Sequence, residues 1–437
     1  MSLSELPLDQ ILRGFNKSTP KEWLSSGTVS RHDLHGFIRY PAMMVPTMQA
    51  DILQAIVNRI EKRVHVIDPF VGSGTVMTEA MRRNLSFTGV DINPLAILTC
   101  EAKVAVEAGA PLDTAAIEVL EALKRDWSEK VDVSFPKIEK WFTLEQTIEF
   151  SRFRRAIMAI EDRKVRQCFW VAFAETIRCC SNSRTSTYKL HKRPDSDVVS
   201  ASVVRRTFEN NIHNLLNRTA DYRKERGIRF QRVSLPELIC GDIQNVSFEH
   251  RGDHCIVMTS PPYGDNRTTI PYGQFSYLAL NWIPRDDLPT IPDENWLANA
   301  AAIDTASLGG SLQNADTKMR RVMRLSPHMR DFFDIAGDAG RLKDVRKVGA
   351  FLWDYYLALK TVRKQTRGKS HWVITSGNRT TAGLTVPFDK VCEEFVERLG
   401  GTLIETVHRR LPVKRMPNRN SNGVMITSET TLVASFD

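Results

Sequence analysis

Residues 64–91 constrain the fold of this chain more than any other stretch. Val64-His65-Val66-Ile67 is a short apolar run that reads as a strand, and it passes directly into Asp68-Pro69-Phe70-Val71-Gly72-Ser73-Gly74-Thr75. The apolar pattern then becomes helical to about residue 83. Phe87-Thr88-Gly89-Val90 reads as the next strand and stops at Asp91-Ile92-Asn93-Pro94. Strand, glycine turn, helix, strand and acid in this order make a βαβ unit of a parallel sheet. The glycines stand where backbone must come close to a ligand and no Cβ can intrude. An acid about 20 residues later, ending the second strand, is placed to accept hydrogen bonds from both ribose hydroxyls of an adenosine.

The remaining periodicity extends this unit into a scaffold with two interruptions. Ile52, Ile56, Val57 and Ile60 have helical spacing over 48–62. Strands are expected at 237–240 and 254–258, then a helix at 350–364, a strand at 371–376, a helix at 386–399, a strand at 402–408 and a last strand within 423–436. The scaffold therefore occupies 36–104, 235–283 and 349–437. The insertion 105–234 reads as helical and basic, the insertion 284–348 as loop-rich. Long insertions in α/β folds emerge over the ligand-binding edge of the sheet, where they can grip a substrate.

Composition narrows the class. Apolar residues make up 42% and charged residues 25% of the 437, the balance of a globular chain with room for two or three domains. No run approaches the roughly 18 apolar residues of a membrane helix, and the N-terminus lacks a signal-peptide layout, so a cytoplasmic location is expected. Seven cysteines without paired spacing fit reduced thiols, and the adjacent Cys179-Cys180 is no zinc motif, so no metal is expected. The formal net charge is +9, with Lys and Arg gathered in 178–232 and again in 409–419. Such a surface attracts phosphate and suits a nucleic-acid partner. Arg184, Lys189, Lys192, Arg193, Arg205 and Arg206 are the candidate contacts.

The glycine turn also discriminates among nucleoside cofactors. A dinucleotide fingerprint wants a third glycine where Met77 stands, and a P-loop wants Gly-Lys-Ser/Thr where Gly74 is followed by Thr75 and Val76. Asp68 would repel a polyphosphate but welcome a cation such as the amino group of a methionine tail. S-adenosylmethionine meets each of these requirements. A second signal lies at Thr259-Ser260-Pro261-Pro262-Tyr263, directly after the strand His254–Met258. Two prolines can continue neither ladder nor helix and hold the backbone rigid and extended. A Ser hydroxyl and a fixed carbonyl can together accept hydrogen bonds from one amino group beside an aromatic ring, which suits a flat base lifted out of a nucleic acid. Cys255 reads as a small buried apolar side chain.

Asp68 to Thr75 resembles motif I of the amino-group DNA methyltransferases, and Thr259 to Tyr263 resembles their motif IV. Phe37 to Pro46 is similar to motif X, Gly89 to Pro94 to motif II, and Cys240-Gly241-Asp242 to motif III. The resemblance implies a Rossmann-like class I methyltransferase fold, α/β, with a mostly parallel sheet and an antiparallel last strand. It implies S-adenosylmethionine held by Tyr40, Pro41, Asp68, Phe70, Gly72, Ser73, Gly74, Thr75, Asp91, Ile92 and Asp242, and a catalytic loop of Ser260, Pro261, Pro262 and Tyr263. Double-stranded DNA is the implied partner, with a cognate restriction endonuclease as a further one. Cytosine-C5 chemistry needs a Pro-Cys nucleophile, and no Pro-Cys pair occurs. Within the family a Ser opening the loop is commoner in cytosine-N4 enzymes than in adenine-N6 enzymes, so cytosine N4 is the expected target. Adenine N6 and an exocyclic amine of RNA are the alternatives, with a non-catalytic nucleic-acid-binding protein behind them. The larger, more basic insertion is the expected target reader.

Overall fold

The computed structural model describes residues 6–24, 31–227, 234–266, 269–366, 368–411 and 428–437. Seven strands form one sheet: β1 (Val64–Asp68), β2 (Ser86–Asp91), β3 (Glu237–Cys240), β4 (His254–Thr259), β5 (Ser370–Ser376), β8 (Thr402–Arg410) and β9 (Ser428–Phe436). A small antiparallel ribbon, β6 (Arg379–Thr381) with β7 (Leu384–Val386), stands apart from it. The strand order is β3-β2-β1-β4-β5-β9-β8. Pairs among β1 to β5 are parallel, and β9 runs against both its neighbours, β5 and β8. This is a Rossmann-like sheet of the methyltransferase type. The order reverses between β1 and β4, so the carboxyl ends of these two strands bound the crevice where such sheets hold ligands.

Both faces of the sheet are buried, and the alternation along single strands shows how. On β4, Ile256 and Met258 join one apolar cluster while Cys255 and Val257 join the other, all nearly inaccessible. Each such side chain contributes roughly 1.5–3 kcal/mol by burial. The first face is covered by helices Pro46–Val57, Thr75–Arg82 and Pro94–Glu107, and the second by Leu342–Gln365 and Phe388–Arg398.

The segment 105–234 continues the first face. Its helices Leu112–Arg125, Leu144–Met158, Arg163–Cys180 and Ala201–Arg226 bury Phe150, Phe153, Phe169, Phe173 and Phe208 in the same cluster as the scaffold. The segment 284–348 is more helical than its sequence reads. Ala315–Leu325 and Pro327–Asp338 are regular helices, and the helix expected from 350 begins at Leu342. Charged residues between the apolar positions hide the spacing of Met319 and Val322, and of Met329, Phe332, Phe333 and Ala336. Ser326 caps the second of these helices, accepting from the Met329 N–H, with Pro327 at its first position. This segment also changes sides. Trp296, Leu297 and Ile303 belong to the first cluster, whereas Leu308, Met319, Val322, Met329, Phe332 and Phe333 belong to the second.

The basic run 409–419 lies outside the described residues from 412 onward, as does the beginning of 423–436. Among the described residues no helix is long and apolar enough to cross a membrane.

Candidate active site

A cavity enclosing about 850 Å³, open solvent included, sits at the carboxyl ends of β1, β2, β3 and β4. Its wall brings together Tyr40, Pro41, Phe70, Gly72, Ser73, Thr75, Asp91, Ile92, Asp242, Ser260 and Pro262 from the residues singled out in the sequence. Residues from five separate stretches thus share one crevice because the strands that carry them are neighbours.

The glycine turn is built backbone first. Gly72 and Gly74 have φ of 50° and 77°, where a side chain is strained. A Cβ on Gly74 would also meet Cys100 Sγ at 2.9 Å, so the turn tolerates no side chain at this position. Lys103, itself buried, donates from Nζ to the Ser73 carbonyl at 2.6 Å and braces the turn from behind. Burial lowers its ammonium to about 8.

The two acids beside the turn are held differently. Asp91 accepts the Gly72 N–H through Oδ2 and the Asn93 N–H through Oδ1, both at 2.8 Å. Burial raises its carboxyl to about 6 although both backbone donors pull it down. Each oxygen keeps a lone pair for a further donor, as a ribose diol requires. Asp68 accepts from Thr259 Oγ1 at 2.6 Å and from the Phe70 N–H at 3.1 Å, both through Oδ1. Its Oδ2 has no hydrogen-bond partner among the described residues. Fully buried, the carboxyl is pushed up to about 7, chiefly by desolvation. A buried acceptor without a partner costs about 1–3 kcal/mol. A cation reaching it would relieve that cost and favour the ionised form. Asp242, at the end of β3, accepts from the Gln244 N–H at 3.0 Å and from Asn245 at 3.2 Å. These residues fit S-adenosylmethionine: an acid with one unengaged oxygen for the amino group, an acid for the ribose, and a turn open to close approach.

Asp68, Gly74, Pro261 and Tyr263 stand behind the wall rather than in it. Tyr263 packs its ring 6.3 Å from Phe388 and turns its hydroxyl towards Ser260 and Glu429. The rings that do line the cavity are Tyr40, Phe70 and Tyr272.

Sequence reasoning missed several contributors. Asn93 caps helix Pro94–Glu107 through its side-chain oxygen and uses its amide to hold the Tyr40 hydroxyl at 2.9 Å and Ser276 Oγ at 2.7 Å. Asn-Pro at a strand end was the available signal for such a cap. Tyr272 stacks on Tyr40 at 5.7 Å. Asn266 lines the cavity with a buried side-chain oxygen that finds no partner among the described residues. Ser307 and Leu308 come from the segment 284–348, where it passes from one face of the sheet to the other.

The candidate nucleic-acid residues separate into two groups. Arg184 and Lys189 line a second cleft with Arg39, Arg178 and Tyr188. Phe275 forms part of that cleft and touches both Tyr188 and Tyr40, so the cleft and the cavity share an aromatic partition. Arg193 and Arg205 serve the fold, and Lys192 and Arg206 lie at the surface. Arg193 donates to the carbonyls of Cys179 and Ser183 at 3.1 and 3.0 Å, Lys192 pairs with Asp195 at 2.8 Å, and Arg205 pairs with Glu149 at 2.5 Å. Arg206 is exposed. Among the described residues His32, Asp33 and His35 have metal-ligand spacing. Asp33 is already engaged by Arg82, and His35 Nε2 by Glu79 at 2.9 Å.

No protein-family model matches the chain. It is 27% identical over 434 residues to the type II methyltransferase M.MvaI of Kocuria varians, an alignment that covers 91% of this chain and 90% of that protein.

Proposed function

We propose that this chain is an S-adenosylmethionine-dependent DNA methyltransferase that modifies the exocyclic N4 amine of a cytosine flipped out of double-stranded DNA, in a restriction-modification setting. One observation carries the reading. Ser260 of the Ser-Pro-Pro-Tyr loop and the glycine turn with Asp91 open into a single cavity, so a methyl donor and an amine acceptor would meet there. The similarity to a type II methyltransferase over nine-tenths of both chains supports the same class.

When bound, S-adenosylmethionine supplies an electrophilic methyl group. Asp91 would hold its ribose, Asp242 its adenine, and Asp68 its amino group. An exocyclic amine is a weak nucleophile because its lone pair is delocalised into the ring. With the Ser260 hydroxyl and the Pro261 carbonyl each accepting one N–H, the nitrogen is drawn towards tetrahedral geometry and its lone pair is freed for in-line attack. The proton leaves to solvent after transfer, so no strong base is needed. The cavity's aromatic rings offer stacking surface worth about 1–3 kcal/mol per base. Arg184 and Lys189, in the neighbouring cleft, would meet phosphates flanking the flipped base.

The test is expression of the wild type and of Ser260→Ala in a methylation-free host, with nucleosides from DNA and RNA identified by mass spectrometry. N4-methylcytosine in DNA is expected, with turnover at least roughly 100-fold lower for Ser260→Ala, as loss of one oriented partner costs. N6-methyladenine would move the target base, modified RNA would move the substrate, and no modified nucleoside would refute the enzyme.

A further inference from the structure

A serine hydroxyl both donates and accepts, and the amine chemistry proposed above uses it only as an acceptor. Something must decide where the Ser260 proton points. Ser260 Oγ lies 3.3 Å from the Tyr263 hydroxyl, which lies 3.5 Å from Glu429 Oε1. Glu429 on β9 is directly opposite Arg409 on β8. The Arg409 guanidinium grips the other carboxylate oxygen, Oε2, through Nη2 at 2.5 Å and Nε at 3.1 Å. It is itself anchored on the Trp23 carbonyl at 2.8 Å and is only 5% exposed.

We propose that Glu429 and Arg409 are positioning residues which, through Tyr263, orient the Ser260 hydroxyl so that its lone pairs face the cavity. The inference rests on the methyltransferase reading and deepens it. Its logic is one of direction. A carboxylate paired with arginine has no proton to give, so the Tyr263 hydroxyl must donate to it. That spends the only proton Tyr263 has, and its oxygen can then only accept. Ser260 therefore donates to Tyr263, and what it presents to a substrate amine is acceptor alone. No bond is made or broken along this chain of contacts. Both spans are longer than the roughly 2.5–3.0 Å usual for O–H···O bonds, so the relay acts by direction more than by strength. Burial, together with the Glu429 carboxylate, holds the Tyr263 phenol well above its ordinary range, so it remains a donor throughout neutral pH.

The rigid support comes from far along the chain. Arg409 and Glu429 belong to the two strands at one end of the sheet, while the loop they steady follows β4 near its centre. A hydroxyl steered by such a fixture loses no orientational freedom at the moment of reaction, which is the benefit of preorganised polar groups.

A double-mutant cycle tests the proposal: single-turnover methylation of DNA by the wild type, Tyr263→Phe, Ser260→Ala and the double variant, with cofactor affinity measured for each. Tyr263→Phe is expected to lower the transfer rate roughly tenfold at unchanged cofactor affinity, about what one lost hydrogen bond is worth. In the Ser260→Ala background the same change should cost nothing further, because contacting residues acting as a unit are not additive. Equal losses in both backgrounds, or a neutral Tyr263→Phe, would overturn the relay. Glu429→Gln, which gives Tyr263 an amide able to donate in place of a carboxylate, should follow the same pattern and replaces Tyr263→Phe if that variant does not fold. A wild type that transfers no methyl group would refute the underlying function. A wild type that transfers, with an additive cycle, would refute the relay alone.

Discussion

The two insertions make an instructive pair. The segment 105–234 is long, basic and rich in arginine, yet none of its described residues lines the cavity. Much of its charge is spent internally, as in the pairs of Arg205 with Glu149, Arg155 with Asp126 and Arg178 with Glu175. The segment 284–348 has a less telling composition, but it passes from one face of the sheet to the other and sets Ser307 and Leu308 in the cavity wall. A count of charges therefore identifies a segment that is able to meet phosphate, while the path of the chain over the carboxyl edge identifies one that reaches the cavity. The two are also joined. Asp287, fully buried in the second segment, accepts from Arg166 at 2.7 Å and from Trp170 Nε1 at 2.8 Å in the first.

That joint gives the strongest way to break the comparison. Asp287→Ala leaves the buried Trp170 indole N–H unpaired and takes from the half-buried Arg166 its carboxylate, and should cost about 1–3 kcal/mol in a urea titration. A loss under about 1 kcal/mol would mean the insertions are energetically separate. Next, Gly309→Val should place a side chain at a φ of 68° with its Cβ 2.7 Å from the Phe351 backbone. The strain, about 1–3 kcal/mol, should displace Leu308 and weaken cofactor binding in a calorimetric titration. Unchanged affinity would remove the second insertion from the site. Replacing Arg184 and Lys189 together by Ala should reduce the slope of log affinity for DNA against log salt by about 2. Arg205→Ala is the contrasting control, with about 1 kcal/mol lost in thermal unfolding and no change in that slope. If the slope instead followed Arg205, the division between structural and phosphate-facing arginines would be wrong.

The scaffold was legible because a parallel strand buried on both faces is a run of apolar residues with little alternative. His254–Thr259 and Ser370–Ser376 lie within a residue or two of where their composition puts them. The acids and glycines of the turn were legible because each answers a constraint visible in sequence: a turn without side chains, or a strand that ends in a carboxylate. What escaped was long-range. Asn93 reaches Tyr40 and Ser276 across gaps of 53 and 183 residues. Lys103 looks like any surface lysine of a helix, and only the packing shows it bracing Ser73. Tyr263 carried an aromatic signal, but nothing local shows that its hydroxyl turns towards Glu429, 166 residues away. Ser307 and Leu308 have no motif at all.

β9 follows β8 in the chain but lies between β8 and β5 in the sheet. A chain leaving the ribosome in order can pair β1 to β5 while β8 still waits for the strand that must slip in beside it. Pairings of this kind, distant in sequence, are the slow part of building a sheet. Glu429 travels on that late strand, so the glycine turn can be in place well before the Ser260 loop has its support. Timing is thereby built into the topology: the cavity's glycine side can be assembled before its proline loop is braced.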